Sequence, residues 1–362
     1  VLHVTGSAVG YSDWVAHGEI TRAMLNGGSA PPHFLYQYLL IGLHKLFNVD
    51  VMHMSPVAAL IMVFVTFVVA YRFLSTSDSH KILPWIAITA TCFLLLAHPV
   101  ALLFPYDKHM YFGYIASNVF HNPSILILKP IALAHFVLLS MYLLESEKYP
   151  PSIGRVAVLA FLTVLSIAAK PNYVIVLLPA LFLLMCFRFM YAREGFSDVL
   201  RMTVPGVFLP AVVFLLWQFN YFYIDGNKNE IRLGIFEVYQ YLSDLWTLLP
   251  KLVLSVAFPI SVVLVLKQDL WRRTDFQLAA LMLFFSLIYS YFLVDTVAGE
   301  GAGSGNFWWS AQISSFILFF VCIRSYMLYI LTNDEKAGVK TAPVSKYLPC
   351  ILYTSDAADD LA

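Results

Sequence analysis

MHMSPVAALIMVFVTFVVAYRFL, residues 52–74, decides the fold class. It carries one basic residue, Arg72, near its end and no acid. An α-helix rises 1.5 Å per residue, so a run of this length reaches across a hydrocarbon core of ~30 Å. Eight further apolar runs follow, at 83–105, 123–145, 156–170, 173–190, 203–221, 248–266, 277–294 and 310–332. Of the 362 residues 60% are apolar and only 12% charged, and the mean hydropathy is +0.75. Water cannot solvate that much apolar surface, whereas lipid can. The reading is an all-α protein, a polytopic transmembrane helical bundle of about nine spans. Acids and bases balance at 22 each with no basic stretch, which argues against a nucleic-acid partner.

Lysine and arginine set the orientation, because loops rich in them stay cytoplasmic. One set of alternate loops and span ends holds thirteen (Arg72, Lys81, Lys148, Arg155, Arg188, Arg193, Arg201, Lys267, Arg272, Arg273, Lys336, Lys340 and Lys346). The other holds seven (Arg22, Lys45, Lys108, Lys170, Lys228, Arg232 and Lys251). The first set is therefore assigned to the cytoplasm. The break at Lys170–Pro171–Asn172 reads either as a tight hairpin or as an interruption within one segment.

Three regions follow. Residues 1–51 form an outer-face loop with two short interfacial helices, at about 14–25 and 34–47, the first ended by Asn26, Gly27 and Gly28. Residues 52–332 are the transmembrane domain, and 333–362 a cytoplasmic tail. The chain starts at Val1, and the topology predicts a further span before it. The ending CILYTSDAADDLA (350–362) resembles translated adapter sequence, foreign to the fold from about 350. Cys92, Cys186 and Cys322 lie in apolar runs, where cysteine packs as a small apolar residue.

Candidate chemistry gathers on the outer face. Asp13, in YSDWVAHGE, is a carboxylate that can act as a base, hold a metal or cap a helix, with His17 one turn on. Of ten histidines, all before residue 136, none shows a metal spacing. The stretch FPYDKHMYFGYIASNVFHNPS (104–124) reads as a loop lying on the membrane; it carries Lys108, His109, His121 and Asn122, donors for an anionic lipid headgroup. Lys129 and Lys170 each precede a proline, in ILKPIAL and AAKPNY. A lysine in an apolar segment is costly unless it snorkels or finds a partner, and a lipid-linked phosphate is one such partner. VDTVAGEGAGSGNFWWS (294–310) reads as a flexible connector or a substrate-gating loop.

The order of an outer-loop Asp13, a helix and then the proline-led PPHFLYQYLLIGLHKLF (31–47) resembles the GT-C superfamily of polytopic glycosyltransferases. The resemblance covers about residues 11–50. It implies transfer of a sugar from a polyprenyl-phosphate donor to a glycan, lipid or protein acceptor on the non-cytoplasmic face, with the setting a bacterial inner membrane. Asp13 then matches the catalytic acidic position. His17, Lys108, His109, Lys129 and Lys170 become substrate-binding candidates. Trp14 stands where a second acid is common, so the resemblance leaves open whether a divalent metal is needed. Two other readings stay open: a transporter or flippase for a lipid-linked substrate, and an O-antigen-type polymerase or ligase.

Overall fold

The computed structural model describes residues 13–76, 82–103, 113–144, 149–191, 196–221, 229–297 and 306–336. They form an almost wholly helical bundle. Helix α1 (Asp13–Leu25) ends where Gly27 takes φ +88° and Gly28 N–H returns to the Ala23 carbonyl at 2.8 Å. Only glycine adopts that left-handed turn without strain. Helix α2 (Leu35–Phe47) buries Tyr36, Gln37, Leu40 and Leu43 and exposes Leu46 and Phe47. It stops at Asn48, again left-handed, and Asp50 caps α3 (Val51–Ser75) by accepting from Met52 N–H at 2.9 Å.

The core follows in chain order: α4 (Pro84–Leu96), α5 (Pro123–Leu144), α6 (Ile153–Ala169) and α7 (Asn172–Tyr191). Next, α8 (Phe196–Thr203), a π-helical turn (Val204–Phe208) and α9 (Leu209–Phe219) make one 24-residue segment. Gly206 in that turn packs on α6, where a Cβ would come 3.1 Å from Leu159 Cβ. The short α10 (Glu237–Leu242) precedes α11 (Leu248–Ser255), α12 (Ala257–Leu266), α13 (Gln268–Trp271), α14 (Thr274–Phe292) and α15 (Trp308–Lys336).

Among the described residues, six helices are long and apolar enough to cross a membrane: α3, α5, α7, the α8–α9 segment, α14 and α15. A seventh span arises if α11 and α12, bent by 50°, cross together. This is an integral, multi-pass helical membrane protein. The expected count of nine is not reached by length. The runs at 83–105 and 156–170 contain α4 and α6, of 13 and 17 residues. At 1.5 Å per residue these are only about 20 and 26 Å long.

Burial separates lipid-facing helices from central ones. Of α3's apolar window 28% is buried; of α15's, 83%. Helix α15 packs against α4, α5, α7, α12 and α14. Helices α6 and α7 form a hairpin rather than one interrupted segment. Asn172, at the start of α7, donates to Ser310 at the start of α15. Arg188, near the far end of α7, donates to the Leu143 carbonyl and to Thr274, at the opposite end of the bundle.

Two departures from the sequence reading matter for the site. First, residues 113–122 do not lie flat on a membrane surface: from Gly113 to Val119 every residue is buried between helices. Irregular backbone at membrane depth is tolerated only where protein satisfies its polar groups. Here Ile115 N–H donates to Ser255 (2.8 Å), Ser117 to the Ala97 carbonyl (3.0 Å), and the Asn118 amide to the carbonyls of Leu94 and Ala97 (2.7 and 2.9 Å). Gly113 holds φ +79°, and a Cβ there would meet Ser243 Cβ at 2.9 Å. Second, the chain is not purely helical. Strands β1 (Asn229–Leu233) and β2 (Leu293–Val297) pair antiparallel, with Ile231 opposite Asp295.

Candidate functional site

At the bundle end where α5, α7 and α15 begin, four elements converge: α1, segment 113–122, the α6–α7 turn and the start of α15. Asp13 opens α1, and its Oδ2 accepts from Asn122 Nδ2 at 2.8 Å. The Trp14 indole N–H donates to the Phe120 carbonyl at 3.1 Å, so α1 is tied to segment 113–122 twice. Asn122 Oδ1 in turn accepts from Ile125 N–H (3.1 Å) and Ser124 Oγ (2.6 Å). Lys170 Nζ donates to Ser124 Oγ at 3.1 Å. Asp13 and Lys170, 157 positions apart in the chain, thus share one hydrogen-bonded line.

Lys170 is in place because the residue before a proline is driven to extended backbone. Its φ of −170° ends α6, and Pro171 follows before α7. The ammonium lies 4.9 Å from the Trp309 ring centroid, a cation–π distance. Burial lowers its pKa to about 8, with Asp13 acting in the opposite direction.

Histidines line the other side. Burial, then Lys170, lowers His17 to about 4, while Asp13 opposes the shift. Burial, then Lys170 and His17, lowers His33 to about 3. Both are therefore neutral near pH 7 and serve as hydrogen-bonding groups, not cations. The Gln37 carboxamide lies 2.8 Å from His17 Nδ1; with its oxygen there, its nitrogen faces the carbonyls of His33 and Phe34 at 3.3 Å.

A cavity of about 520 Å³ opens beside Lys170. His33, Lys170 and Asn172 provide its polar side, and Val212, Leu215, Leu216 and Phe219 of α9 its apolar wall. Asp295 and Asn306 close one end, joined by a 2.7 Å hydrogen bond. The apolar wall continues onto the outside of α9, where Leu216 is 58% exposed. Gln218 anchors the proline turn ahead of α2 by donating to the Pro32 carbonyl at 2.8 Å. A second cavity, about 310 Å³ and apolar, lies between Trp14 and Val15 of α1 and Met52, Ser55, Pro56 and Ala59 of α3.

The predicted residues divide. Asp13, His17 and Lys170 come together. Lys129 does not join them: it is 2% exposed, donates to Asn118 Oδ1 at 2.7 Å, and sits 5.4 and 5.1 Å from the Phe120 and Phe316 rings. Lys108 and His109 lie outside the described residues, as do 298–305 of the glycine-rich stretch. No local pattern marks Ser124, Asn172 or Trp309 as site residues. Asn122, expected as a donor to a lipid headgroup, donates to Asp13 instead, and Asn122–Pro123 marks it as a helix-capping residue followed by proline at the first helical position. Lys251, counted above only for orientation, is a further buried cation. It is fully buried, donates to Ser243 Oγ at 2.6 Å and lies 5.1 Å from the Tyr114 ring.

Among the described residues, no three His, Cys, Asp or Glu side chains converge as metal ligands. Asp13 is the lone carboxylate in the Asn122–Ser124–Lys170 line, so its donor set does not fit a divalent ion and no step below passes through one. No family model, curated protein or solved structure matches this chain.

Proposed function

We propose that the protein is a membrane glycosyltransferase that takes a sugar from a polyprenyl-phosphate donor. One observation carries the reading. Lys170, a buried cation, stands at the head of a cavity whose far wall is the lipid-facing side of α9, and it is hydrogen-bonded through two side chains to a carboxylate. A ligand with an anionic head and a long apolar tail fits that combination: phosphate on Lys170, tail along Val212, Leu216 and Phe219.

The chemistry then assigns roles. The acceptor hydroxyl oxygen attacks the anomeric carbon as the carbon–oxygen bond to the lipid phosphate breaks. The bonding pair leaves with the phosphate oxygen, and the hydroxyl proton passes to Asp13, which later releases it to water. Lys170 stabilises the charge that grows on the leaving phosphate. Neutral His17 and His33 hydrogen-bond the sugar or phosphate without adding charge. On this reading the site faces the non-cytoplasmic side, as the lysine and arginine distribution predicts, and the membrane is the bacterial inner membrane that the resemblance implies.

The test is transfer of labelled sugar from a panel of polyprenyl-phosphate sugars, with the protein in lipid nanodiscs. Asp13→Asn should lower the rate by roughly 10²–10⁴-fold, the usual worth of a general base. Full activity in that variant would remove Asp13 from the chemistry. A transporter or flippase would instead bind or move the lipid without transfer and be indifferent to Asp13→Asn. An O-antigen-type polymerase or ligase would require an oligosaccharide on the donor.

A further inference from the structure

The orientation of one amide follows from a helix cap. Asn122 precedes α5 and is buried. Ile125 N–H is a donor only, so the Asn122 atom facing it at 3.1 Å must be oxygen. Lys170 has no acceptor, so Ser124 Oγ accepts from it and sends its own proton to the same Asn122 oxygen. The Asn122 nitrogen is left facing Asp13, and it donates to Oδ2 at 2.8 Å. The cap that starts α5 therefore sets the direction of the carboxylate on α1.

We propose that Asn122 is the positioning residue for Asp13, and that Ser124 joins it to Lys170 so that base and phosphate site act as one unit. This rests on the transferase reading for its purpose, though not for its geometry. Asn122 and Ser124 act through Asp13 and Lys170. The coupling has a direction. A phosphate bound at Lys170 sets a second negative charge across the Ser124–Asn122 bridge from the Asp13 carboxylate. Among the described residues, the other titratable groups facing Asp13 are His17 on α1 and His121 beside Asn122, with His33 beyond Lys170.

The experiment reads the carboxyl stretch of Asp13 by infrared titration in nanodiscs, as a difference against the same protein carrying Asp13→Asn. Asn122→Asp keeps the helix cap, because Asp caps as well as Asn, but sets a second carboxylate against the first. The Asp13 titration should move up by about one pH unit or more. Asn122→Ser also keeps a cap and loses the amide donor, so a move in both variants separates positioning from failure to fold. Inorganic phosphate added to wild type should move the titration the same way, and Ser124→Ala should shrink that response. In the transfer assay Asn122→Ser should lower kcat by about 10²-fold, as misplacement does, with donor KM little changed. An Asp13 titration identical in wild type and Asn122→Asp overturns the proposal. A clear move with no transfer from any donor supports the relay and counts against the transferase reading, so the two fail separately.

Discussion

Lys129 and Lys170 share a local sequence, lysine then proline in an apolar run, and meet opposite fates. Helix α5 continues through Pro130, which leaves Lys129 inside the bundle, closed in by Asn118 and two phenyl rings. At Pro171 the chain turns, so Lys170 emerges at the head of a cavity. The lesson is that a charge at membrane depth signals a site only when its partner leaves space beside it. Lys129 is spent on holding segment 113–122 in place, while Lys170 keeps one face toward a cavity large enough for a ligand.

The widest separation between the two should come from exchanging each for methionine. Lys170→Met should cut sugar transfer by about 10²-fold or more, since a charge-stabilising donor to the leaving group is lost. Lys129→Met should leave transfer within a few-fold per folded molecule and show instead as a lower unfolding midpoint, because it leaves the buried Asn118 Oδ1 without its donor. A transfer loss at Lys129 as large as that at Lys170 would erase the distinction drawn here.

Next in size is the effect on stability of opening the Lys129 contact. Asn118→Leu should cost ~1–3 kcal/mol or more, because it strands the buried Lys129 ammonium and the Leu94 carbonyl, while the Ala97 carbonyl keeps its bond from Ser117. The readout is the unfolding midpoint in detergent. No change would mean that Asn118 is not what holds Lys129 inside.

The pH dependence sharpens the comparison further. Lys170 is lowered by burial to about 8, so its cationic form is present below that pH and lost above it. Affinity for the lipid phosphate, measured by equilibrium binding, should hold below pH 8 and fall as pH rises through it, approaching tenfold per unit for one proton. Lys170→Arg should move that limb upward, since arginine stays charged. A flat profile in wild type would show that another group carries the phosphate.

The smallest expected change comes from the apolar wall. Val212→Trp narrows the cavity and should weaken lipid-phosphate binding by about tenfold, or 1.4 kcal/mol. Binding of a short, tail-free phosphate ester should be unaffected. Equal loss for both would place the narrowing at the phosphate rather than the tail.

Much of the fold was legible because apolar runs and helix stops are local. The apolar run from residue 52, the glycine stop after Leu25 and the second helix near 34–47 all follow from short-range backbone chemistry. The span count was not legible, because a run of apolar residues does not tell where a helix gives way to buried irregular chain, as it does after Leu96. The β1–β2 pair joins residues about sixty positions apart, and no local pattern announces it.

The site divides along the same line. Composition, the apolar runs and the placement of lysine and arginine determined by themselves that the chain lives in a membrane, and they singled out Asp13, His17 and Lys170 by residue type. Only the tertiary structure decided that these three meet while Lys129 stands apart, and that Asn122 and Ser124 lie between Asp13 and Lys170. The physical reason is range. Hydrophobicity and helix capping act between near neighbours in the chain, whereas a hydrogen bond from Lys170 to Ser124, or from Asn122 to Asp13, exists only after distant helices have packed and fixed which side chains share a space.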